Sequence, residues 1–458
     1  RGRFTFRVRG AGGTTAFFAP TIGPKEIGSP GSRPWGDTSP DILVFVGDTF
    51  RADNLAIYGG PPDLTPRLNA LADRSLRFLQ ARSPSTSTLP AHSSLFTGLS
   101  PTQHGATRHR ALSRELPRLA QGLHEAGYRT AAVSDSGYVS RQFGMDVGFE
   151  SFDERAFLQR PFVRLLDDVR HTRAADDGRP LFLFVQTYRV HNPFRSGLEE
   201  DQSARRAFLE EMRAAFRAKR PEARRGLLSV EALVEEAYAK HGDRYRDLYL
   251  DGVRAFDLAL GEFLDELDAE GYAERGYLIF TADHGEEFFE HGGRGHGGPA
   301  FEERVRIPLL MRGPGIEPGD VEWACSLLDV APTVLRLAGL DPLPRAVGRD
   351  LLTLNMERPM LFYNASTSEE YLVALDEGRK LFFEEPDLER SGIRAAFDLN
   401  TDPAEQVDLA SESPEWIESM RAKLAPLWSV LGQPVGTSER ADIDPGLAEH
   451  LRALGYAE

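Results

Sequence analysis

The sequence predicts an α/β protein: a mainly parallel mixed sheet sandwiched by helices, followed by a smaller C-terminal α+β subdomain. Three observations carry this prediction. Short, wholly apolar runs recur along the chain, as strands buried on both faces require. Stretches with helical spacing of apolar residues lie between them. Several of the runs end in polar, chemically capable residues, and in open α/β sheets ligands bind at the carboxyl ends of the strands.

The elements justify themselves in order. Phe4, Phe6 and Val8 alternate with polar residues and are followed by a Gly- and Pro-rich stretch, so residues 1–38 read as the end of a β-rich element plus a linker. Residues 42–46 (ILVFV) form the first buried strand and end at Gly47, Asp48 and Thr49. Residues 87–98 (STLPAHSSLFTG) read as a loop running into a helix. Leu116, Leu119, Leu123 and Ala126 share one helix face. Residues 130–133 are a second strand, ending at Ser134 and Asp135, and residues 181–185 a third, followed by Gln186 to His191. Val253, Phe256, Leu260, Phe263, Leu264 and Leu267 mark another helix. Residues 277–280 lead into Asp283 and His284, and residues 308–311 give a fifth strand.

Residues 195–248 break this rhythm. They are dense in Arg and Glu, with helical stretches at 207–217 and 230–239, and read either as an inserted helical flap or as a solvated surface excursion. The expected division is a catalytic domain over 39–343 carrying that insertion, and a C-terminal subdomain over 344–458. The latter has strand-like pieces at 361–363, 371–375 and 380–383 and a helix around 414–431.

Composition narrows the function. The chain of 458 residues carries a net charge of −16, which argues against binding a nucleic-acid polymer through a basic surface. No apolar run approaches the ~20 residues that span a bilayer, so membrane contact is expected only through segments outside this sequence. One cysteine, Cys325, in an apolar run, excludes an internal disulfide framework and reads as a buried, inert thiol.

The chemistry gathers at three places. Asp48, the pair Asp283-His284, and the loop with Thr88 together offer carboxylates, an imidazole and a hydroxyl, a set that suits a divalent metal such as Zn²⁺ or Mn²⁺. A metal-bound threonine hydroxyl loses its proton more readily and becomes a usable nucleophile. The plainer reading is capping: an Asp after a strand commonly caps a helix, and Thr88 just before Leu89-Pro90 fits an N-cap. Capping and catalysis are compatible. His92, His191 and His296 add imidazoles on loops at strand ends, a pattern of metal or anion sites.

The order of motifs resembles the sulfatase branch of the alkaline phosphatase superfamily, from about residue 40 to the C-terminus. Its pieces are VFVGDTFRADNL (44–55), STLPAHSSLFTGLSPTQHG (87–105), GYRTAAV (127–133), FTADHGEEFFEHGG (280–293), ERVRIPLLMRGPG (303–315), SLLDVAPTVLRLAGL (326–340) and FDLNTDPAEQVDLA (397–410). The resemblance implies an alkaline phosphatase-like fold. The family's main loop reads Cys or Ser-x-Pro-x-Arg, its Cys or Ser being oxidised to formylglycine; here the frame is Thr88-Leu89-Pro90-Ala91-His92. Threonine carries a methyl group on its β-carbon, so no formylglycine is expected. Ser134-Asp135 stands where the family has Gly-Lys, and His296 stands at about the position of a further lysine.

Threonine nucleophiles occur in relatives of this superfamily that act on phosphorus and use zinc or manganese. The resemblance therefore implies one Zn²⁺ or Mn²⁺, rather than Ca²⁺ or Mg²⁺, held by Asp48, Thr88, Asp283 and His284. A second metal site is disfavoured, because Thr187 stands where two-zinc relatives place an Asp four residues before His191. Thr88 would be the nucleophile and His191 or His296 the proton donor to the leaving group, with Thr49, His92 and Asp135 in contact with the substrate. Asp53 and His104 are expected to be structural, and Glu286, Glu287 and His291 to orient groups around the ion. The function implied is hydrolysis or transfer of a phosphoester, on a small-molecule or lipid or glycan substrate, in a periplasmic or extracellular setting. Hydrolysis of sulfate esters and a catalytically degenerate binding protein are the alternatives.

Overall fold

The computed structural model describes residues 39–154, 178–192 and 230–454, with short breaks at 273, 354–357, 366–369, 389, 413, 437 and 442, and besides these Phe162, Leu165, Phe194 and residue 214. The expected β-element within 1–38 and the helical stretch at 207–217, apart from residue 214, lie outside the described residues.

Through the larger part of the chain the elements run β1 (Asp41–Gly47), α1 (Pro66–Ala72), β2 (Leu76–Arg82), α2 (Thr88–Thr97), α3 (Pro101–His104), α4 (Leu119–Glu125), β3 (Arg129–Ser134), β4 (Ser151–Asp153) and β5 (Leu181–Thr187). They continue with α5 (Val230–Ala269), β6 (Gly276–Ala282), β7 (Glu287–Phe288), β8 (Arg294–Gly295), α6 (Glu302–Val305), β9 (Leu309–Arg312), β10 (Gly319–Ser326) and α7 (Val330–Leu337). Then come β11 (Met360–Ala365), β12 (Glu370–Asp376), β13 (Arg379–Phe383), β14 (Ile393–Asp398), α8 (Pro414–Leu431) and α9 (Pro445–Ala453).

Among the described residues an eight-stranded sheet has the order β10-β2-β9-β6-β1-β5-β3-β4, parallel except for β9, which runs antiparallel to both β2 and β6. The apolar runs form its centre: every residue of β1 and of β5 is buried. Register and side-chain alternation assign the two faces. Phe45 pairs across with Val185 and Phe280, and Val44 with Phe184 and Ile279, so these sets point to opposite sides. Helix α5 covers the first, with Phe256 against Phe45 and Phe50. Helix α2 covers the second, where the rings of Phe96 and Phe184 meet 4.7 Å apart.

The smaller part is a four-stranded antiparallel sheet, β11-β12-β13-β14. One face packs against α8 through Leu372, Leu381, Ile417 and Leu424. The other face, with Phe362, Val373 and Phe382, packs on Ala300 and Val305 of the larger part. Lys380 crosses that seam. Its fully buried ammonium reaches Glu302 at 3.0 Å and Glu405 at 2.8 Å, and Glu302 also binds Arg82. Helix α9 returns to the main body, where Leu447 and Leu451 join the large core.

Candidate active site

Strand register builds the site. Gly47 is level with both Thr187 and Ala282, and Ser134 is level with Gln186. The residues that follow these strands therefore emerge side by side at the carboxyl edge of the sheet. The backbone N–H of Asp48 donates to Thr187 O at 3.0 Å, holding the β1 end against β5. Thr49 adopts a left-handed backbone (φ 56°), rare for a β-branched residue, and there its N–H donates to Asp283 Oδ1 at 3.2 Å while its hydroxyl donates to Asp48 O.

Asp48, Asp283 and His284 are all fully buried, and one ligand atom from each falls within 4.8 Å of the others. Among the described residues Asp48 Oδ1 and Asp283 Oδ2 have no hydrogen-bond partner. Burial, and then the charge of Asp283, push the Asp48 carboxyl well above the usual carboxylate range. Burial acts on Asp283 too, yet His284, His92 and the contact with Asp48 bring its carboxyl below that range. The two shifts run in opposite directions, as crowding of two buried carboxylates requires, and such a place is one that a cation fills more favourably. Two carboxylates and an imidazole with orphaned oxygens fit a divalent ion.

Thr88 sits beside this group. Its Oγ1 lies 3.2 Å from His284 Nε2. His284 Nδ1 donates to Gly285 O at 2.9 Å, so Nε2 carries the lone pair and accepts from the threonine hydroxyl. The capping expectation is corrected here: the N-cap of α2 is Ser87, Thr88 is the first helical residue, and its hydroxyl is spent on His284. Ser87 does not cap through its side chain either; its hydroxyl donates to Asn364 Oδ1 at 2.8 Å. Asn364 in turn bonds Gly297 O through its Nδ2, so the smaller sheet helps to fix both loops of the site.

The histidines divide into two groups. His92, one turn after Thr88, donates from Nδ1 to Thr88 O at 2.9 Å and stands 3.5 Å from Asp283 Oδ2, fully buried against Phe184. His191, His296 and His284 form a cluster, with ring centroids 5.0 Å apart for the first pair and 4.5 Å for His296 and His284. His191 Nδ1 donates to Asn192 O, and His296 Nδ1 donates to Glu286 Oε2 at 2.9 Å. Burial depresses both imidazoles, His191 to about 3 and His296 to about 4. Arg108, whose Nε donates to Tyr138 OH at 3.2 Å, is near enough to His296 for their charges to interact.

Asp135 is placed one strand further out. Its Oδ2 accepts from Thr187 Oγ1 at 2.7 Å and from Tyr188 N at 2.8 Å. Gln186 joins it to the centre, donating to Asp48 Oδ2 at 3.4 Å and accepting from Asp135 N and Ser134 Oγ. In the sequence Gln186 shows only as a polar side chain directly following an apolar run. Arg108 and Asn364 carried no local signal.

Three outer residues have other work. Asp53 accepts from Nε and Nη2 along one edge of the Arg51 guanidinium, and His104 bonds Ser94 Oγ and Ala106 N in the core, as expected of structural groups. His291 stacks on Phe301 at 3.7 Å and donates to Glu303 and to Glu405 O, fastening the seam between the two sheets. Cys325 is buried, and burial raises its thiol far above the usual range, as an inert cysteine requires.

A largely parallel sheet that presents a buried Asp–Asp–His group and an adjoining hydroxyl at its carboxyl edge defines an ester hydrolase of the alkaline phosphatase superfamily. The chain belongs to the sulfatase family, whose model matches residues 40–340. It is 27% identical over 434 residues to a choline-sulfatase of Rhizobium meliloti, covering 81% of this chain and 82% of that one. It is 24% identical to arylsulfatase K of Bos taurus, covering 85% and 82%. The fold is shared with a phosphonate monoester hydrolase of Agrobacterium radiobacter (TM-score 0.63, 18% identity, 85% of this chain and 95% of that one). It is shared too with a putative sulfatase, yidJ, from Bacteroides fragilis (TM-score 0.67, 16% identity, 87% and 97%). Proteins of the sulfatase family generally bind a divalent metal. Among the described residues no helix is long and apolar enough to cross a membrane.

Proposed function

We propose that this chain hydrolyses, or transfers the phosphoryl group of, phosphoesters through Thr88. One observation carries the reading. The hydroxyl against the Asp48–Asp283–His284 group belongs to a threonine, which has the geometry of a nucleophile and cannot become an aldehyde. Asp48, Asp283 and His284, with Thr88, would hold one Zn²⁺ or Mn²⁺. Such an ion, when bound, supplies Lewis acidity and lowers the pKa of a neighbouring hydroxyl.

In the reaction the Thr88 Oγ1–P bond forms and the bond from phosphorus to the leaving oxygen breaks; the hydroxyl proton passes to solvent. The leaving oxygen takes its proton from His296 or His191. His296 is the better oriented of the two, because Glu286 holds its Nδ1–H; burial keeps both imidazoles neutral near pH 7, and the substrate's negative charge is what would raise them. Water then attacks the phosphorus of the phospho-threonine; its O–P bond forms as the Thr88 Oγ1–P bond breaks, phosphate leaves, and Oγ1 regains a proton from the attacking water. His92 braces Asp283 and the Thr88 carbonyl, and Thr49 supports the same carboxylate through its N–H. Arg108, whose charge reaches His296, would help to meet the substrate's charge.

A sulfate-ester substrate is the second reading, favoured by the sulfatases among the relatives, which include a choline-sulfatase. A degenerate binding protein is disfavoured, since a dead site has no reason to keep the three buried ligand groups together. The substrate proposed is a small-molecule or glycan ester and the setting periplasmic or extracellular, with catalysis in residues 39–343 and support from 344–458. The test is acid quenching during turnover, with peptide mapping. A phosphoryl group on Thr88 supports the reading; its absence under conditions of rapid turnover refutes it.

A further inference from the structure

Helix α5 sends a buried polar group toward the metal-ligand residues, the hydroxyl of Tyr249. The residue is 1% exposed, and its ring packs on those of Phe194 (5.8 Å between centroids) and Phe288 (4.8 Å). The hydroxyl makes three hydrogen bonds. It donates to Thr49 O at 2.9 Å, and it accepts from Arg51 N at 3.0 Å and from Asn54 Nδ2 at 2.8 Å. All three partners belong to the segment that follows β1.

What this hydroxyl holds is a strained backbone. Thr49 is β-branched, yet its φ is 56°, a conformation that persists only where the surroundings over-determine it. The conformation gives each of its peptide groups a partner: the C=O meets Tyr249, and the N–H meets Asp283 Oδ1 at 3.2 Å. The same Oδ1 accepts from His284 N at 2.8 Å. With Oδ1 committed to two backbone N–H groups, Oδ2 is the oxygen left for a ligand. It stands 3.4 Å from His284 Nε2 and has no hydrogen-bond partner among the described residues.

We propose that Tyr249 is a positioning residue of the metal centre: its hydroxyl keeps the Thr49 peptide left-handed, and through the Thr49 N–H it fixes which oxygen Asp283 presents. The proposal rests on the metal-binding part of the reading above and not on which ester is cleaved. Without the hydroxyl, the carbonyl anchor that opposes Thr49's return to negative φ is gone. The Thr49 N–H then leaves Asp283, and the carboxylate loses one of the two bonds that set its orientation. Glycine has no such preference, since positive φ is as open to it as negative. The need for the Tyr249 hydroxyl is thus set by the side chain at position 49, which separates positioning from ordinary core stability.

The test is calorimetric titration of the metal-free chain with Zn²⁺ or Mn²⁺ alone, with no turnover involved. Tyr249→Phe is expected to weaken the ion about tenfold, the lower end of what an orienting group contributes. In a Thr49→Gly background the same change is expected to weaken it by no more than about threefold, the mark of two coupled residues. Tyr58→Phe is the control. It deletes another buried hydroxyl, which donates to Phe78 O and accepts from Leu309 N at 3.1 Å each, and it should leave ion affinity unchanged. An unchanged affinity in Tyr249→Phe, the same loss in both backgrounds, or an equal loss in Tyr58→Phe overturns the proposal. Should Tyr249→Phe not fold, recovery of a folded, metal-binding chain by adding Thr49→Gly supports the proposal, and no recovery overturns it. A wild-type chain that binds neither ion overturns the metal reading and this proposal together, whereas a preference for sulfate over phosphorus esters alters none of these affinities.

Discussion

The Thr88 hydroxyl and the Nε2 of His284 stand 3.2 Å apart, joining the start of α2 to the end of β6 across nearly two hundred residues of sequence. That contact sets the first prediction. Thr88→Ala removes the nucleophile and should lower kcat by about 10³-fold or more, while Thr88→Ser keeps the hydroxyl and should stay within about tenfold of the wild type. Steady-state kinetics of the metal-loaded variants on one phosphoester decides it.

The buried carboxylate pair makes metal binding and folding one equilibrium. Zn²⁺ or Mn²⁺ at about one hundred times its Kd should raise the unfolding free energy by about 2.7 kcal/mol. Asp48→Asn should act with opposite signs in the two states. It should abolish most of that gain, yet stabilise the metal-free chain, because burial and the charge of Asp283 push the Asp48 carboxyl well above its usual range, so that its ionisation opposes folding. Denaturation of both proteins with chelator and with metal separates the signs.

Gln186 should matter although it touches no reacting atom. Gln186→Leu removes the donor to Asp48 Oδ2 and the acceptor for Asp135 N. Metal affinity should fall about 10- to 100-fold, the usual effect of losing a group that orients a ligand. Direct metal titration checks this, and an unchanged affinity contradicts it.

Much of this was legible in the sequence because buried parallel strands write themselves as unbroken apolar runs. The runs at 42–46, 130–133, 181–185 and 277–280 all appear as strands of the large sheet, three of them adjacent at its centre, and the polar residues after them do converge. Strands β2, β4 and β10 were not read. They lie toward the two ends of the sheet, where Arg77, Gln80 and Glu322 can face outward and no continuous run is needed. The 40-residue α5 absorbs both the expected helix at 253–267 and the one at 230–239. Thr88 was legible as a chemical residue but not as one free of capping, because the helix start was fixed one residue earlier, at Ser87. Pairings such as Ser87–Asn364 depend on how the second sheet docks, which no local pattern encodes.

The seam between the sheets should be sensitive to its one buried ammonium. Lys380→Met leaves Glu302 and Glu405 facing each other without that cation and should cost about 3–5 kcal/mol. Burial already lifts Glu405 to about 6, so adding Glu405→Gln removes an uncompensated charge and should restore part of the loss. Chemical denaturation of the single and double variants measures both.

His104 should make the fold acid-sensitive. Burial depresses its imidazole from 6.5 to about 3. The folded chain therefore binds fewer protons than the unfolded one between these values, and the contribution is complete above pH 6.5 and lost as pH falls toward 3. At pH 5 the loss from this residue should be about 2 kcal/mol. His104→Gln should flatten the pH dependence of stability between pH 6.5 and 5 relative to the wild type.

The most direct test of the account compares kcat/KM of the Zn²⁺- or Mn²⁺-loaded protein on matched aryl phosphodiester, phosphate monoester and sulfate ester, with Thr88→Ala alongside. The account predicts that a phosphorus ester is the best substrate and that Thr88→Ala abolishes its turnover. A sulfate ester turned over fastest, or full activity without the Thr88 hydroxyl, would contradict it.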